Sequence, residues 1–259
     1  MRDVIVETVG RTRVVTINRP QVRNAVDRDA ADALHDAFVA FDSDADVDVA
    51  VLAGSNGAFC AGADLKGVSD GRGNRVVADL GVRGPMGPTR LRLTKPVIAA
   101  IEGHAVAGGL ELAVWCDLRV AATDATLGVY CRRWGVPLVD GGTFRLARLI
   151  GQSRALDLVL TGRGVPADEA FAMGLVNRLA EPGGALAAAL TLGAELSRFP
   201  QQCLRSDRQS LLDQWSLAED DALLHETRLG LATIRSGEAL EGAKRFAEGR
   251  GRSGSFDNL

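Results

Sequence analysis

Two short glycine-bearing turns stand out as places where backbone donors could hold a negatively charged oxygen. One is Cys60-Ala-Gly-Ala-Asp64, which follows an apolar run at residues 49–53. The other lies within residues 98–117, where an apolar run at 97–101 leads into a small-residue turn ending in Gly108-Gly109. The paired glycines open a segment that reads as a buried helix, with one carboxylate, Glu111, in its first turn. Glycine lets backbone N–H groups approach a ligand closely. A helix start carries unpaired N–H donors and the positive end of the dipole. Two such donors from separated turns could stabilise a developing oxyanion, and an acid beside them could move protons. Each turn taken alone is also what ordinary strand–helix packing produces.

The elements that must position these turns follow from the apolar spacing. Residues 4–9 and 13–17 read as a hairpin around Gly10, and residues 27–41 repeat apolar side chains at helical spacing (Ala31, Leu34, Phe38, Phe41). Residues 49–53 and 97–101 read as buried strands, with further strands at 117–121 and 126–129. Helices are expected at 143–150 and 153–160, and from Pro166 onward the chain reads as mostly helical: 167–173, 184–197, 200–213, 216–236 and 238–248. Alternating strands and helices followed by a run of helices indicate an α/β core with a helical C-terminal part. Residues 67–95 have weak periodicity and contain Gly84-Pro-Met-Gly-Pro88; they fit either a mobile cover over a pocket or a plain surface excursion. Residues 251–259 are expected to be loose.

Composition narrows the class. At 259 residues and 46% hydrophobic, the chain can bury a sizeable core. A net charge of −3 leaves no basic footprint for nucleic acid. No apolar run approaches the roughly 18–20 residues that span a bilayer, and residues 1–7 show no signal-peptide stretch. Cys60, Cys116, Cys131 and Cys203 lie far apart without metal-ligand spacing, and His35, His104 and His225 are scattered. Reduced thiols, a cytoplasmic location and no metal site are the expectations. His104, within the turn, either lines a pocket or packs there.

In order along the chain, Asn18-Arg-Pro, Phe59-Cys-Ala-Gly-Ala-Asp-Leu-Lys66, Gly103-His-Ala-Val-Ala-Gly-Gly-Leu-Glu-Leu-Ala113, Cys116-Asp-Leu-Arg119, Gly141-Gly-Thr-Phe-Arg-Leu146, Leu160-Thr-Gly-Arg163 and Met173-Gly-Leu-Val-Asn177 resemble the crotonase, or enoyl-CoA hydratase/isomerase, family. The resemblance covers nearly the whole chain. It implies the crotonase (ClpP-like) fold, with repeated ββα units over residues 1–195 holding an acyl-CoA pocket. A C-terminal helical part, 196–259, would drive assembly into trimers or dimers of trimers. It also implies no permanently bound cofactor, coenzyme A arriving as part of the substrate, and work in fatty-acid or related acyl-CoA metabolism.

Carried over by motif position, the two backbone donors are those of Ala63 and Gly108, and Glu111 takes the place of one of the two glutamates that hydratases use. The second glutamate belongs where Cys131 stands. A thiol is a poor substitute for a carboxylate that aligns water, so ordinary hydration is not expected. Asp140 sits near the point where dienoyl-CoA isomerases carry a catalytic aspartate; it also fits an N-cap of the helix through Leu146. Trp134 either fills acyl space or belongs to the core. Arg132 and Arg133 either face a substrate carboxylate or stay solvated. For coenzyme A, the expected contacts are Arg19, Arg23 and Lys66, with Ala61 and Asp64 in the adenine-side loop. Lys244 and Phe246 resemble residues that reach a neighbouring subunit's coenzyme. The alternative is an acyl-CoA-binding protein that kept the pocket and lost catalysis. A serine peptidase of the related fold is disfavoured, because no Ser/His/Asp set occupies matching turns.

Overall fold

The strands that carry the site are apolar at every position because both faces of their sheet are buried. A computed structural model describes residues 2–256. It contains β1 (Val4–Val9), β2 (Thr12–Ile17), α1 (Arg28–Ser43), β3 (Val49–Gly54), α2 (Leu65–Ser69), β4 (Val97–Ile101), β5 (His104–Val106), α3 (Gly108–Trp115), β6 (Leu118–Ala122), β7 (Thr126–Gly128), α4 (Gly142–Ile150), α5 (Gln152–Thr161), β8 (Gly164–Pro166), α6 (Ala167–Ala172), β9 (Arg178–Ala180), α7 (Ala185–Ser197), α8 (Gln201–Asp213), α9 (Glu219–Arg235) and α10 (Glu238–Ala247). A six-stranded sheet runs β1-β2-β3-β4-β6-β9, antiparallel only between β1 and β2. A smaller sheet runs β5-β7-β8.

Side-chain alternation divides the large sheet between two cores. Ala50, Leu52, Ala99 and Ile101 face a core shared with Leu34 and Phe38 of α1 and Leu110 and Leu112 of α3. Val49, Val51, Ile98, Ala100 and Val120 face Ala189 and Leu192 of α7. β4 and β6 lie in the large sheet, while the strands that follow them, β5 and β7, pair in the small one. This is the repeated strand–strand–helix layout that the resemblance implies. It delivers the start of α3 to the seam between the sheets.

Three short strands, β5, β8 and β9, lay below the reach of periodicity at three residues each. After Pro166 the chain is mostly helical as expected, and β9 falls in the stretch between the expected helices 167–173 and 184–197. The expected loose tail is corrected in part: Arg198 donates to the Phe256 carbonyl, and the Phe199 and Phe256 rings meet edge to face at 5.9 Å. Residues 257–259 lie outside the described residues. No helix among those described is long and apolar enough to cross a membrane.

Arg119 locks the layers together. Its buried guanidinium donates to the carbonyls of Leu175 (2.7 Å) and Cys116 (2.7 Å) and to Asn177 Oδ1 (3.1 Å). It thereby ties β6 to the end of α3 and to the approach to β9. Arg119→Met fills much of the volume but orphans these acceptors, at a cost of about 1–3 kcal/mol each. Urea unfolding should show a loss of about 3 kcal/mol or more, well beyond that of a surface Arg→Met control.

Candidate active site

Strand-like pairing holds the two glycine-bearing turns against each other. The Cys60 N–H donates to His104 O (2.9 Å) and the Val106 N–H donates to Cys60 O (3.1 Å). A Cβ on Gly62 would stand 3.0 Å from the Gly108 nitrogen, and one on Gly109 would fall on the Cys60 carbonyl. Between them, Ala107 sits at φ +55, a region L-residues rarely adopt. The parallel bridge between Val26 and Ala63 uses Gly62 O and the Asp64 N–H, so the Ala63 N–H takes no part in it, and neither that N–H nor the Gly108 N–H has an acceptor among the described residues. Both residues line a cavity of about 750 Å³.

Glu111, on α3, lines the same cavity. Its Oε1 accepts the N–H groups of Asp140 (2.9 Å) and Gly142 (2.9 Å). Gly142 is the first residue of α4, so Glu111 satisfies an orphan donor at that helix start. The match is close: a Cβ on Gly142 would stand 2.9 Å from Glu111 Cγ. Burial pushes the Glu111 carboxyl up to about 7 and the Asp140 charge pushes the same way, against the lowering effect of the amides. Desolvation wins because the carboxylate has amide dipoles but no cation in hydrogen-bond contact.

Asp140 does not cap α4, which corrects that expectation. The cap residue is Gly141, in the left-handed region, and it makes no side-chain cap bond. Asp140 Oδ1 instead accepts the Met86 N–H (2.9 Å) and the Thr89 hydroxyl. Burial raises the Asp140 carboxyl above the usual carboxylate range despite these donors. Arg145 completes the cluster, donating to the carbonyls of Asp140 (2.6 Å) and Thr89 (2.9 Å). The segment at 67–95 is therefore a cover over the pocket. Met86 packs against Gly108, and Asn74, Val76 and Pro85 contribute to the cavity wall.

The remaining residues singled out from the sequence fall into three groups. Ala61, Arg23, His104, Arg133 and Trp134 line the cavity, as does Cys131, whose buried thiol is raised by burial and by the Glu111 charge. Trp134 is 68% exposed and so is not core; Arg133 stacks over Tyr130 at 4.3 Å, while Arg132 turns away to Val159 O. Arg19 and Asp64 correct the expectation of coenzyme contact. The Arg19 guanidinium is buried against Asp27 (2.6 Å) and Asp64 (3.2 Å), and Asp64 also caps α2 through the Gly67 N–H. Their charges are spent on each other, and neither lines the cavity. Lys66 on α2, with Lys244 and Phe246 on α10, is exposed outside the cavity lining of its own chain. Sequence reasoning missed Met86, Thr89 and Arg145. The turn signal at 84–88 and the arginine within residues 141–146 were visible, but nothing local says that both converge on Asp140.

Two unpaired backbone donors stand beside a carboxyl poised near neutrality at the seam of this two-sheet fold, which is the crotonase-superfamily fold. The chain belongs to the enoyl-CoA hydratase/isomerase family, whose model matches residues 8–253. It is 36% identical to enoyl-CoA hydratase EchA19 of Mycobacterium tuberculosis, over 96% of this chain and 94% of that one. It is 32% identical to the mevalonyl-coenzyme A hydratase sidH of Aspergillus fumigatus, over 92% and 88%. Among solved structures, enoyl-CoA hydratase EchA1 from Mycobacterium marinum superposes with a TM-score of 0.90 at 38% identity, covering 96% of both chains. The chain is accordingly an enzyme of the hydratase/isomerase kind.

The carboxyl near 7 has a consequence for stability. Unfolded, Glu111 titrates near 4.5. Between about 4.5 and 7 the folded state therefore holds a proton the unfolded chain has lost, so Glu111 makes stability fall as pH rises through that window and adds no slope above it. The raised Asp140 adds a slope of the same sign. Glu111→Gln keeps an acceptor for the two amides and has no proton to lose. Urea titrations across pH 4–9 should show its part of the slope gone, with the variant more stable than the parent at pH 8 by on the order of 1–3 kcal/mol.

Proposed function

We propose that this chain binds 2-enoyl or related acyl-CoA thioesters, with the thioester oxygen between the Ala63 and Gly108 N–H groups and Glu111 as the acid/base. The observation that carries this reading is the pairing of those free donors with a buried carboxyl near 7 in one cavity. As charge moves onto the thioester oxygen, the donors are already in place, and one such donor is worth about 3–4 kcal/mol in comparable sites. Glu111, near neutrality, can both release a proton to the α-carbon and take one from it. Asp140 shapes that proton affinity through its charge and holds Met86 and Thr89 over the pocket; it is a positioning residue.

Cys131 leaves the water-aligning pair one carboxylate short. Isomerisation, or addition with an unusual partner, fits better than efficient hydration. Coenzyme A enters and leaves with substrate, its nucleotide end near Arg23 and Ala61, and a cytoplasmic location in acyl-CoA metabolism suits this chemistry. Measured against a panel of enoyl- and dienoyl-CoAs, Glu111→Gln should lose about 10²–10⁴-fold in turnover with acyl-CoA affinity nearly intact. Asp140→Asn should shift the pH profile toward lower pH by removing the charge that raises Glu111. A Glu111→Gln protein with full activity refutes the mechanism, and equal affinity for an acyl-CoA and its free acid refutes the substrate class.

The helical part after α7 supports a trimer or dimer of trimers. Leu211, Trp215, Leu223, Leu231, Ile234 and Leu240 on or beside α8–α10 are exposed in the single chain, and apolar side chains gathered on one part of a surface are what an interface between copies would cover. In such an assembly Lys244 and Phe246 would stand beside a neighbour's coenzyme. Light scattering at micromolar concentration should give a multiple of three chains.

A further inference from the structure

We propose that Cys131 is a nucleophile toward enoyl thioesters bound in this cavity, so that the protein adds its own thiol where a hydratase would add water; the inference rests on the acyl-CoA reading above. Cys131 lies on the short 3-10 turn 130–134 after β7, in the wall shared with Glu111, Ala63 and Gly108. It is buried, and the cavity wall it belongs to also holds the groups an electrophilic thioester would meet. Two backbone donors without an acceptor would draw electrons onto the thioester oxygen and make the β-carbon electron-poor. Glu111, its carboxyl pushed up to about 7, lines the same cavity, and burial together with its charge raises the thiol. A thiol is far more acidic and more nucleophilic than water, so a base sufficient to activate water is more than sufficient for it.

The step balances within the site. Glu111 takes the thiol proton as the sulfur–Cβ bond forms. The π electrons of the C=C bond move toward the thioester carbonyl, and the enolate oxygen is held by the Ala63 and Gly108 N–H groups. Glu111 then returns the proton to Cα, leaving a thioether and an intact thioester. Nothing is oxidised and no group leaves. The reverse path regenerates enzyme and enoyl-CoA, so the adduct is a reversible resting state or the entry to a covalent route.

The other cysteines supply the internal control. Cys60 and Cys116 are buried and do not line the cavity, with burial raising both thiols strongly. Cys203 is exposed on α8 beside Asp207 (3.9 Å). Indiscriminate chemistry would therefore mark Cys203 first.

The test uses the full chain with crotonyl-CoA and the saturated butyryl-CoA. Calorimetry first establishes whether butyryl-CoA binds. Acid-quenched intact-protein mass spectrometry then follows crotonyl-CoA, with peptide mapping of the modified residue. A mass gain of one crotonyl-CoA on Cys131 is expected, absent with butyryl-CoA and absent in Cys131→Ala. Glu111→Gln should form it about 10²-fold more slowly. Butyryl-CoA binding together with no crotonyl-CoA adduct on Cys131, or with an adduct only on Cys203, overturns the proposal and leaves the acyl-CoA reading standing. Failure of both thioesters to bind overturns the acyl-CoA reading and the proposal with it.

Discussion

The close approach of two backbone turns is the constraint on which the rest of this molecule depends. Gly62 and Gly109 cannot carry a side chain, because a Cβ at either would meet the opposite turn. Ala107 accepts a left-handed backbone, worth about 1–3 kcal/mol of strain, because its N–H is fixed to Gly128 O (2.9 Å) and its carbonyl receives the Glu111 N–H (3.2 Å). That strain is held by pairing across the seam of two sheets, with β3 and β4 buried on both faces behind it. The fold thus spends its rigidity on placing two N–H groups where no internal acceptor reaches them.

The same rigidity sets the electrostatics. Glu111 lies in the first turn of its own helix, α3. Its side chain is aimed at the start of α4, whose first amide it accepts. Amide dipoles alone do not offset near-complete desolvation, so the carboxyl rises rather than falls. Asp140 links this group to the covering segment. Its backbone N–H goes to Glu111 and its carboxylate to Met86 and Thr89, while Arg145 binds the carbonyls on both sides. Geometry at the oxyanion donors and closure of the pocket are therefore one network.

Most of this architecture was legible in the sequence, for physical reasons that differ by element. β3 and β4 announced themselves because strands buried on both faces are continuously apolar. α1 did so because one face is wet, which leaves Leu34, Phe38 and Phe41 at helical spacing. β5, β8 and β9 are too short to carry a period, and their pairing is set by distant partners. Among site residues, Glu111 and Gly108 sit in a pattern that local rules read. Arg19 and Asp64 look like surface charges in one dimension; only the fold shows that Arg19 is buried between Asp64 and Asp27, the caps of α2 and α1. An Asp before glycines is often a cap, but Glu111, 31 residues before Gly142, takes the α4 amide instead.

Glu111 and Asp140 are best understood as one titrating pair. Both are buried and both are raised, and the Asp140 charge disfavours ionisation of Glu111, so their protons leave in steps that belong to the pair. Asp140 holds the better donors, a backbone N–H and a hydroxyl beside Arg145. It therefore ionises first and keeps the remaining proton on Glu111 near neutrality. Such a division, two carboxyls whose environments push them apart, is how one site keeps an acid available at neutral pH. A carboxylate at position 131, in the wall that Glu111 shares, would add a third negative charge to this network. A neutral thiol at Cys131 avoids that repulsion, which gives a physical reason for Asp140 and Cys131 to occur together in one pocket.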